Sequence, residues 1–411
     1  MIEIKEEEER VILVGIDAGD GQDAERSLEE LSELARTAKA RPVGTLIQKR
    51  EAAHPATYLG TGKIEELTLL VEGTGATGVI CDDELSPAQL KNLDRLLDVK
   101  IMDRTMVILD IFAARASTRE GKIQVELAQL RYRAARLTGF GNALSRLGGG
   151  IGTRGPGEKK LEVDRRRIHD RISVLKTELT QVERHREITR RKRERNHKAV
   201  AALVGYTNAG KSTLLNALTG AGVLSEDQLF ATLDPTTREL FLPDGESILL
   251  TDTVGFIRKL PHHLVEAFKS TLEEARYADF ILHVVDAANP SMELQMYTVY
   301  ETLKKLEVLG KPVITLFNKI DQFSSPPVLR DFTADEALYV SAKTSQGLSA
   351  LKELLAKKLR EQNIYLERFY SYPDAGKIQL IRTQGRLLSE EYREDGVAVT
   401  GYVPAELLGK L

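Results

Sequence analysis

An α/β fold in four parts is predicted by three features of the 411-residue sequence. Strand and helix signals alternate over residues 1–112. Two heptad-patterned helices flank a glycine-rich stretch at 148–157. A strand–glycine loop–helix pattern then opens a second alternating region at Ala199. The expected parts are an N-terminal parallel α/β domain (1–112), a long, basic antiparallel helical hairpin (113–198), a P-loop domain (199–364) and a small C-terminal α+β domain (365–411).

Composition bounds the protein's class. Hydrophobic residues make up 42% of the chain, ample for packed cores, and the single cysteine, Cys81, excludes a disulfide framework and fits a reducing cytosol. Met1–Arg10 is acid-rich, unlike a signal peptide, and apolar runs such as Phe280–Val285 are far too short to span a bilayer. A cytoplasmic protein without a membrane span is expected. Peripheral association with a membrane surface is left open.

The first domain alternates strands and helices. Val11–Ile16, Pro42–Gln48, Gly78–Asp82 and Val99–Met102 read as strands. Asp23–Ala38 and the stretches near Lys63–Glu72, from Ser86 and from Thr105 read as helices. Ser86 as cap and Pro87 at the first helical position mark one start clearly. Such alternation implies a parallel sheet wrapped by helices. Gly60-Thr61-Gly62-Lys63 resembles a phosphate loop only in part. It lacks the first glycine and the Ser/Thr after the lysine, so no nucleotide is assigned to it. His54 reads as an ordinary loop residue, since no Cys/His cluster accompanies it.

The hairpin is predicted from steps of four and three. Ile123, Leu127, Leu130, Ala134 and Leu137 form one seam, and Ile168, Ile172, Leu175, Leu179 and Val182 form the other. The second arm, Glu158–His197, would be about 60 Å long at 1.5 Å per residue. Between the arms, Gly148–Gly157 is too poor in side chains to build a core. Arg115–Lys198 holds 23 Lys/Arg against 10 Asp/Glu, a balance of +13 in a chain of net charge −3. A solvated helix face would mix its signs. Arg165–Arg167 and Arg190–Arg193 are instead one-signed clusters, which suit the phosphates and splayed bases of structured RNA.

In the third domain Gly205, Tyr206, Thr207, Asn208, Ala209, Gly210, Lys211 and Ser212, followed by Thr213, form a Gly-x4-Gly-Lys-Ser loop. The glycines let successive N–H groups face one anion at a helix N-terminus. Lys211 can reach the β- and γ-phosphates and Ser212 can ligate Mg2+. Asp252, Thr253, Val254 and Gly255 close an apolar strand, where Asp252 can hold a Mg2+-bound water and the Gly255 amide can sense a γ-phosphate. Asn318, Lys319, Ile320 and Asp321 end another strand; Asp321 can accept from guanine N1–H and the 2-amino group, a donor pair adenine lacks. Ser341, Ala342 and Lys343 follow a further strand and offer an amide to guanine O6. Strand C-termini are where open α/β sheets bind ligands. The order and spacing resemble the translation-factor-related GTPases.

Phe230, Ala231, Thr232, Leu233 and Asp234 occupy the place of a switch I loop. Thr232, Thr236 and Thr237 all carry hydroxyls that could meet Mg2+, and Asp234-Pro235 can also begin a turn. Phe256 follows Gly255 where Ras-like enzymes carry a water-orienting Gln. It has no polar atom, so intrinsic hydrolysis is expected to be slow. In the tail, Lys377–Arg382 reads as a strand, Gly385–Tyr392 as a helix and Gly396–Tyr402 as an alternating strand.

The chain is identified as resembling the HflX family of ribosome-associated GTPases, the Obg-HflX-like GTPases. The resemblance is carried by Tyr58–Lys63 with Glu66 and Leu67, Gly148–Gly157 with Glu158-Lys159-Lys160, and Phe230–Asp234. It implies that Thr232 is the Mg2+ threonine beside Ser212 and joins Lys211, Asp252 and Gly255 as a catalytic residue. It further implies GTP/GDP and Mg2+ as cofactors and the large ribosomal subunit with its RNA as partner. GTP hydrolysis would be stimulated there, and in bacteria stalled ribosomes would be split or rescued. A monomer is expected. The alternative is a signalling-type GTPase whose hairpin is a coiled coil for acidic proteins or anionic membrane, separable by the response to ribosomes.

Overall fold

The computed structural model describes residues 8–19, 23–144, 156–195, 198–220, 229–230, 233–259, 274–308, 310–325 and 327–411. Most of the predicted glycine-rich tip, together with Ala231 and Thr232, lies outside them. The chain packs as two compact units. The first comprises Met1–Val182, Ser225–Asp234 and Val254–Glu273; the second comprises Glu183–Leu224, Pro235–Thr253 and Glu274–Leu411.

The first unit opens with β1 (Arg10–Asp17), α1 (Ala24–Thr37), β2 (Arg41–Lys49), α2 (Thr61–Thr74), β3 (Gly78–Cys81), α3 (Pro87–Leu97), β4 (Lys100–Asp103) and α4 (Arg104–Arg115). Its four strands run parallel in the order β2-β1-β3-β4, as the alternation predicts. Helix starts follow local chemistry. The Asp23 side chain accepts from the amides of Glu25 and Arg26, and Ser86 with Gln89 forms a reciprocal capping box ahead of Pro87. Ile12, Val14, Val79, Cys81 and Ile101 bury one sheet face with Leu67 and Val71 of α2 and Leu93 of α3. Each such side chain contributes about 1.5–3 kcal/mol relative to exposure.

The hairpin helices are α5 (Arg119–Leu144) and α6 (Pro156–Arg195). Ile123 and Leu127 pack with Ile172 and Leu175, flanked by Leu130, Ile168, Leu179 and Val182, eight of the ten residues the heptad steps select; Ala134 and Leu137 stand outside this cluster. Ion pairs Glu126–Arg171 and Arg119–Glu178 fix the antiparallel register.

In the second unit β5 (Val200–Gly205), α7 (Lys211–Thr219), β6 (Thr236–Phe241), β7 (Ser247–Asp252), β8 (Phe280–Asp286), α8 (Met292–Lys305), β9 (Val313–Asn318), β10 (Glu336–Tyr339) and α9 (Leu348–Gln362) build a six-stranded sheet of order β10-β9-β8-β5-β7-β6. All neighbours pair in parallel except β6, an antiparallel edge on β7. Leu203, Leu250, Leu282 and Leu316 run through the core with Leu214 and Leu351 of the helices.

The tail corrects two expectations. It is formed by β11 (Asn363–Ser371), α10 (Ala375–Gln384), β12 (Arg386–Arg393) and β13 (Gly396–Pro404), with strand order β11-β13-β12. Lys377–Arg382, read as a strand, lies in α10. Its β-branched content misleads, whereas Ile378 and Ile381, 5% and 0% exposed, follow helical spacing. Gly385–Tyr392, read as a helix, forms most of β12. Its helix-forming residues yield to pairing with β13, with Glu390 opposite Val399 and Tyr392 opposite Val397.

Candidate phosphate-loop site

The site is built first by backbone that only glycine allows. At the end of β5 a Cβ on Gly205 would stand 2.2 Å from the Val284 carbonyl oxygen of β8. Gly210 has φ +94, and a Cβ there would stand 2.3 Å from Asn318 Nδ2. Both glycines therefore serve close approach as well as curvature. Gly210 is also the N-cap of α7 and supplies no side-chain acceptor, so the first-turn amides carry no side-chain cap. A helix start of this kind suits an anion.

Lys211 is 7% exposed, and its ammonium donates to the carbonyls of Gly205 and Tyr206 at 3.1 and 2.8 Å. Burial pushes its pKa down to about 8, against the opposing pull of Asp252. A buried cation of this kind fits a polyphosphate, whose charge would restore the protonated form. Thr207 Oγ1, also buried, has no hydrogen-bond partner among the described residues. Ser212 Oγ donates to Asp252 Oδ2 at 2.7 Å, and Asp252 is fully buried at the end of β7. Hydroxyl and carboxylate oxygens side by side suit Mg2+, which prefers few protein ligands completed by phosphate and water. Among the described residues no cluster of three or more His, Cys, Asp or Glu could hold a metal by itself.

The end expected to hold the base is organised by Asn318. Its Nδ2 donates to the Ala209 carbonyl at 2.8 Å, while its Oδ1 accepts from the Ala342 amide at 2.9 Å. One side chain thus ties the phosphate loop to the Ser341–Lys343 loop, a role that spacing alone does not reveal. The Ser341 hydroxyl donates to Asp321 Oδ1 at 2.6 Å and accepts from the Thr344 amide at 3.1 Å. Lys319 has φ +65 and pairs with Asp286 at 2.8 Å; Ile320 is buried and Lys343 exposed. Thr253 is buried and its hydroxyl donates to the Leu203 carbonyl at 2.7 Å.

Phe230, Leu233, Asp234, Val254 and Gly255 belong to the first unit, where all but Asp234 are buried. Phe256 is 2% exposed. Beyond it, Lys259 has φ +51 and its ammonium bonds to Asp82 and Asp83. Arg104, 1% exposed, donates to Asp82, Glu30 and the Arg258 carbonyl. Asp82, Asp83, Arg104, Arg258 and Lys259 line a cleft of about 490 Å3 together with Tyr58, whose hydroxyl bonds Asp83 at 2.6 Å. Lys63 of the partial glycine motif is engaged elsewhere, with Glu66 at 2.8 Å. His54 Nδ1 pairs with Thr57 Oγ1 at 2.8 Å in a loop. Nothing in the sequence marks Arg104 as buried, since charged residues are read as exposed by default, and no local pattern pairs Lys259 with Asp82.

The Lys211 environment carries a pH signature. The nucleotide-free site holds this lysine partly deprotonated near pH 8, and phosphates raise its pKa. Nucleotide binding at that pH is therefore expected to take up protons, and the uptake should vanish by about pH 6, where lysine is fully protonated in both states. For nucleotide-free protein the unfolded chain binds more protons between about 8 and 10.5, so this group's contribution to stability rises with pH over that window. Calorimetry in buffers of different ionisation enthalpy reads the uptake, and a proton-neutral binding at pH 8 would contradict it.

Three family descriptions match the chain in succession: "GTP-binding GTPase N-terminal" over residues 25–113, "GTP-binding GTPase Middle Region" over 115–193 and "50S ribosome-binding GTPase" over 200–319. The GTPase HflX of Lacrimispora saccharolytica is 66% identical over 411 residues, covering 100% of this chain and 97% of the relative. That of Caldanaerobacter subterraneus is 49% identical, covering 100% and 95%. The Escherichia coli GTPase HflX is 41% identical over 395 residues, covering 95% and 92%. By these full-length identities the chain belongs to the HflX family of GTPases.

Proposed function

We propose that this GTPase works on the large ribosomal subunit of the cytoplasm, where its basic hairpin contacts ribosomal RNA, its GTP hydrolysis is stimulated, and stalled ribosomes are split or rescued. The observation that carries the reading is the +13 balance of residues 115–198 in a chain of net charge −3. The four parts 1–112, 113–198, 199–364 and 365–411 then divide the work. The GTPase part binds and hydrolyses nucleotide, and the hairpin with its 148–157 tip probes RNA.

In this reading Lys211 neutralises the β- and γ-phosphates, and Ser212 and Thr232 would hold a Mg2+ ion, which when bound would supply further charge neutralisation. Asp252, which accepts from the Ser212 hydroxyl, would help hold the metal, and the Gly255 amide would meet the γ-phosphate. Asp321 reads guanine, the Ala342 amide takes its O6, and Asn318 holds the two loops together. Phe256 supplies packing but no polar atom for the attacking water. The missing orientation therefore comes from outside the chain or from a switch that orders on docking.

Co-sedimentation with large subunits across a salt series tests the RNA contact. Replacing Arg190, Arg191 and Arg193 by Gln is expected to lower the log–log salt slope by about two to three, because each phosphate contact releases roughly one counterion. Replacing 148–157 by a short Gly-Ser turn should abolish stimulation while leaving GDP affinity within about twofold, as for separate domains. Full stimulation without the tip would remove the hairpin from this role.

A further inference from the structure

The two faces of the three-stranded C-terminal sheet differ in chemistry. One is closed: Leu366 and Tyr370 of β11 and Val397, Val399 and Val403 of β13 pack with Ile378 and Ile381 of α10. Side chains alternate along a strand, so the residues between these point to the opposite face. On β11 that row reads Tyr365, Glu367, Phe369, with both rings 50% exposed and Glu367 exposed between them. Tyr402, Thr400 and Ala398 of β13 stand opposite. Beyond them β12 adds Ser389, hydrogen-bonded to Thr400 at 2.6 Å, and Glu391. Glu367 is without a hydrogen bond or ion pair among the described residues.

The sheet holds these rings in place. Tyr365 and Tyr402 meet edge to face at 5.5 Å between centroids. A Cβ on Gly396 would stand 2.8 Å from Phe369 Cζ, so this ring lies against the glycine of the neighbouring strand and turns its other side to solvent. Exposed aromatic rows on a sheet suit either stacked bases or cations. Charge decides between them. Residues 365–411 hold six Lys/Arg against seven Asp/Glu, a balance of −1, whereas a nucleic-acid surface needs a basic one. The open face repeats this. Among its described side chains Glu367 and Glu391 are the carboxylates, and the one cation, Arg393, is paired with Glu391 at 3.0 Å. A ring face attracts a cation, and arginine, planar and weakly hydrated, stacks on it well.

We propose that the open face of the C-terminal sheet is a docking site for a basic protein segment, whose arginine side chains stack on Tyr365 and Phe369 and pair with Glu367. The two rings are four residues apart on one strand, about 13 Å at 3.3 Å per residue. Two arginines four residues apart in an extended segment span the same distance, with Glu367 as countercharge midway. This contact is separate from the hairpin's proposed contact with RNA and does not rest on it.

Fluorescence anisotropy with the full-length protein tests this. The probe is a labelled extended peptide with two arginines four residues apart. Its counterpart carries citrulline, equal in shape but uncharged, at both places, and a short uridine RNA is the nucleic-acid arm. The arginine peptide is expected to bind, and the citrulline peptide to bind about tenfold more weakly or less. Tyr365→Leu/Phe369→Leu keeps apolar area but removes the ring faces, and should weaken the arginine peptide about fivefold to tenfold, as two exposed ring–cation contacts would. Glu367→Lys reverses the countercharge at an exposed position and should weaken it by at least as much, with an unchanged thermal midpoint. That variant leaves the sheet's packed face untouched, so it decides the matter if the double variant fails to fold. RNA affinity should be the same in all three proteins. An arginine peptide that does not bind, a citrulline peptide that binds equally well, or full affinity in Glu367→Lys would overturn the proposal. So would a loss of RNA affinity in the double variant, which would make the face a site for bases.

Discussion

Exchanging Asp321 for Asn is expected to weaken GDP and GTP binding by about 1–3 kcal/mol or more and to raise relative affinity for xanthine nucleotides. The carboxylate can accept from two guanine donors, whereas an amide accepts from one and faces the other with a donor. Asp321 is also held by the Ser341 hydroxyl at 2.6 Å, a bond that an amide oxygen can keep. The loop should therefore stay in place, and the loss should report base recognition rather than unfolding. Titration calorimetry with GDP and xanthosine diphosphate reads both affinities. An unchanged GDP affinity would remove Asp321 from the base.

Thr232→Ala is expected to lower ribosome-stimulated turnover by about a hundredfold, the scale for losing one group that stabilises transition-state charge. GDP affinity should barely move, because the threonine hydroxyl is assigned to the metal in the triphosphate state. Phe256→Leu makes the contrast. Phe256 is 2% exposed, so truncation to Ala would open a cavity and cost about 3–5 kcal/mol of stability. Leu keeps most of the volume, and its turnover on ribosomes should stay near that of the unmodified protein. Steady-state phosphate release at saturating large subunits separates the two variants, and equal losses would place Phe256 in the chemistry.

What was legible in the sequence was local. The phosphate loop reads directly because Gly205, Gly210 and Lys211 each have a chemical reason within a few residues. Ser86 and Pro87 announce a helix start in the same way. The heptad seam of α5 and α6 reads well because both helices carry their own period. The tail does not: α10 and β12 exchange their expected types because burial spacing and cross-strand pairing outweigh propensity. Least legible were the partners of the switches. Thr118 and Asp234 are 116 residues apart, and Asp82 and Lys259 are 177 apart. No local pattern records such pairs. Arg104 gives no sign of being buried until Asp82 and Glu30 are seen around it.

In the proposed reading hydrolysis is completed on the ribosome, because Lys211 and a Mg2+ held by Ser212 would supply charge, whereas Phe256, which has no polar atom, follows Gly255 where Ras-like enzymes carry a water-orienting Gln. Phosphoryl transfer asks for an in-line water as well as charge neutralisation. Single-turnover GTP hydrolysis by the full-length protein, measured alone and with saturating large ribosomal subunits, tests this most directly. The expected result is a slow basal rate raised by about two orders of magnitude or more when the subunits are added, the range over which preorganised polar groups act. A basal rate equal to the rate on subunits would contradict it.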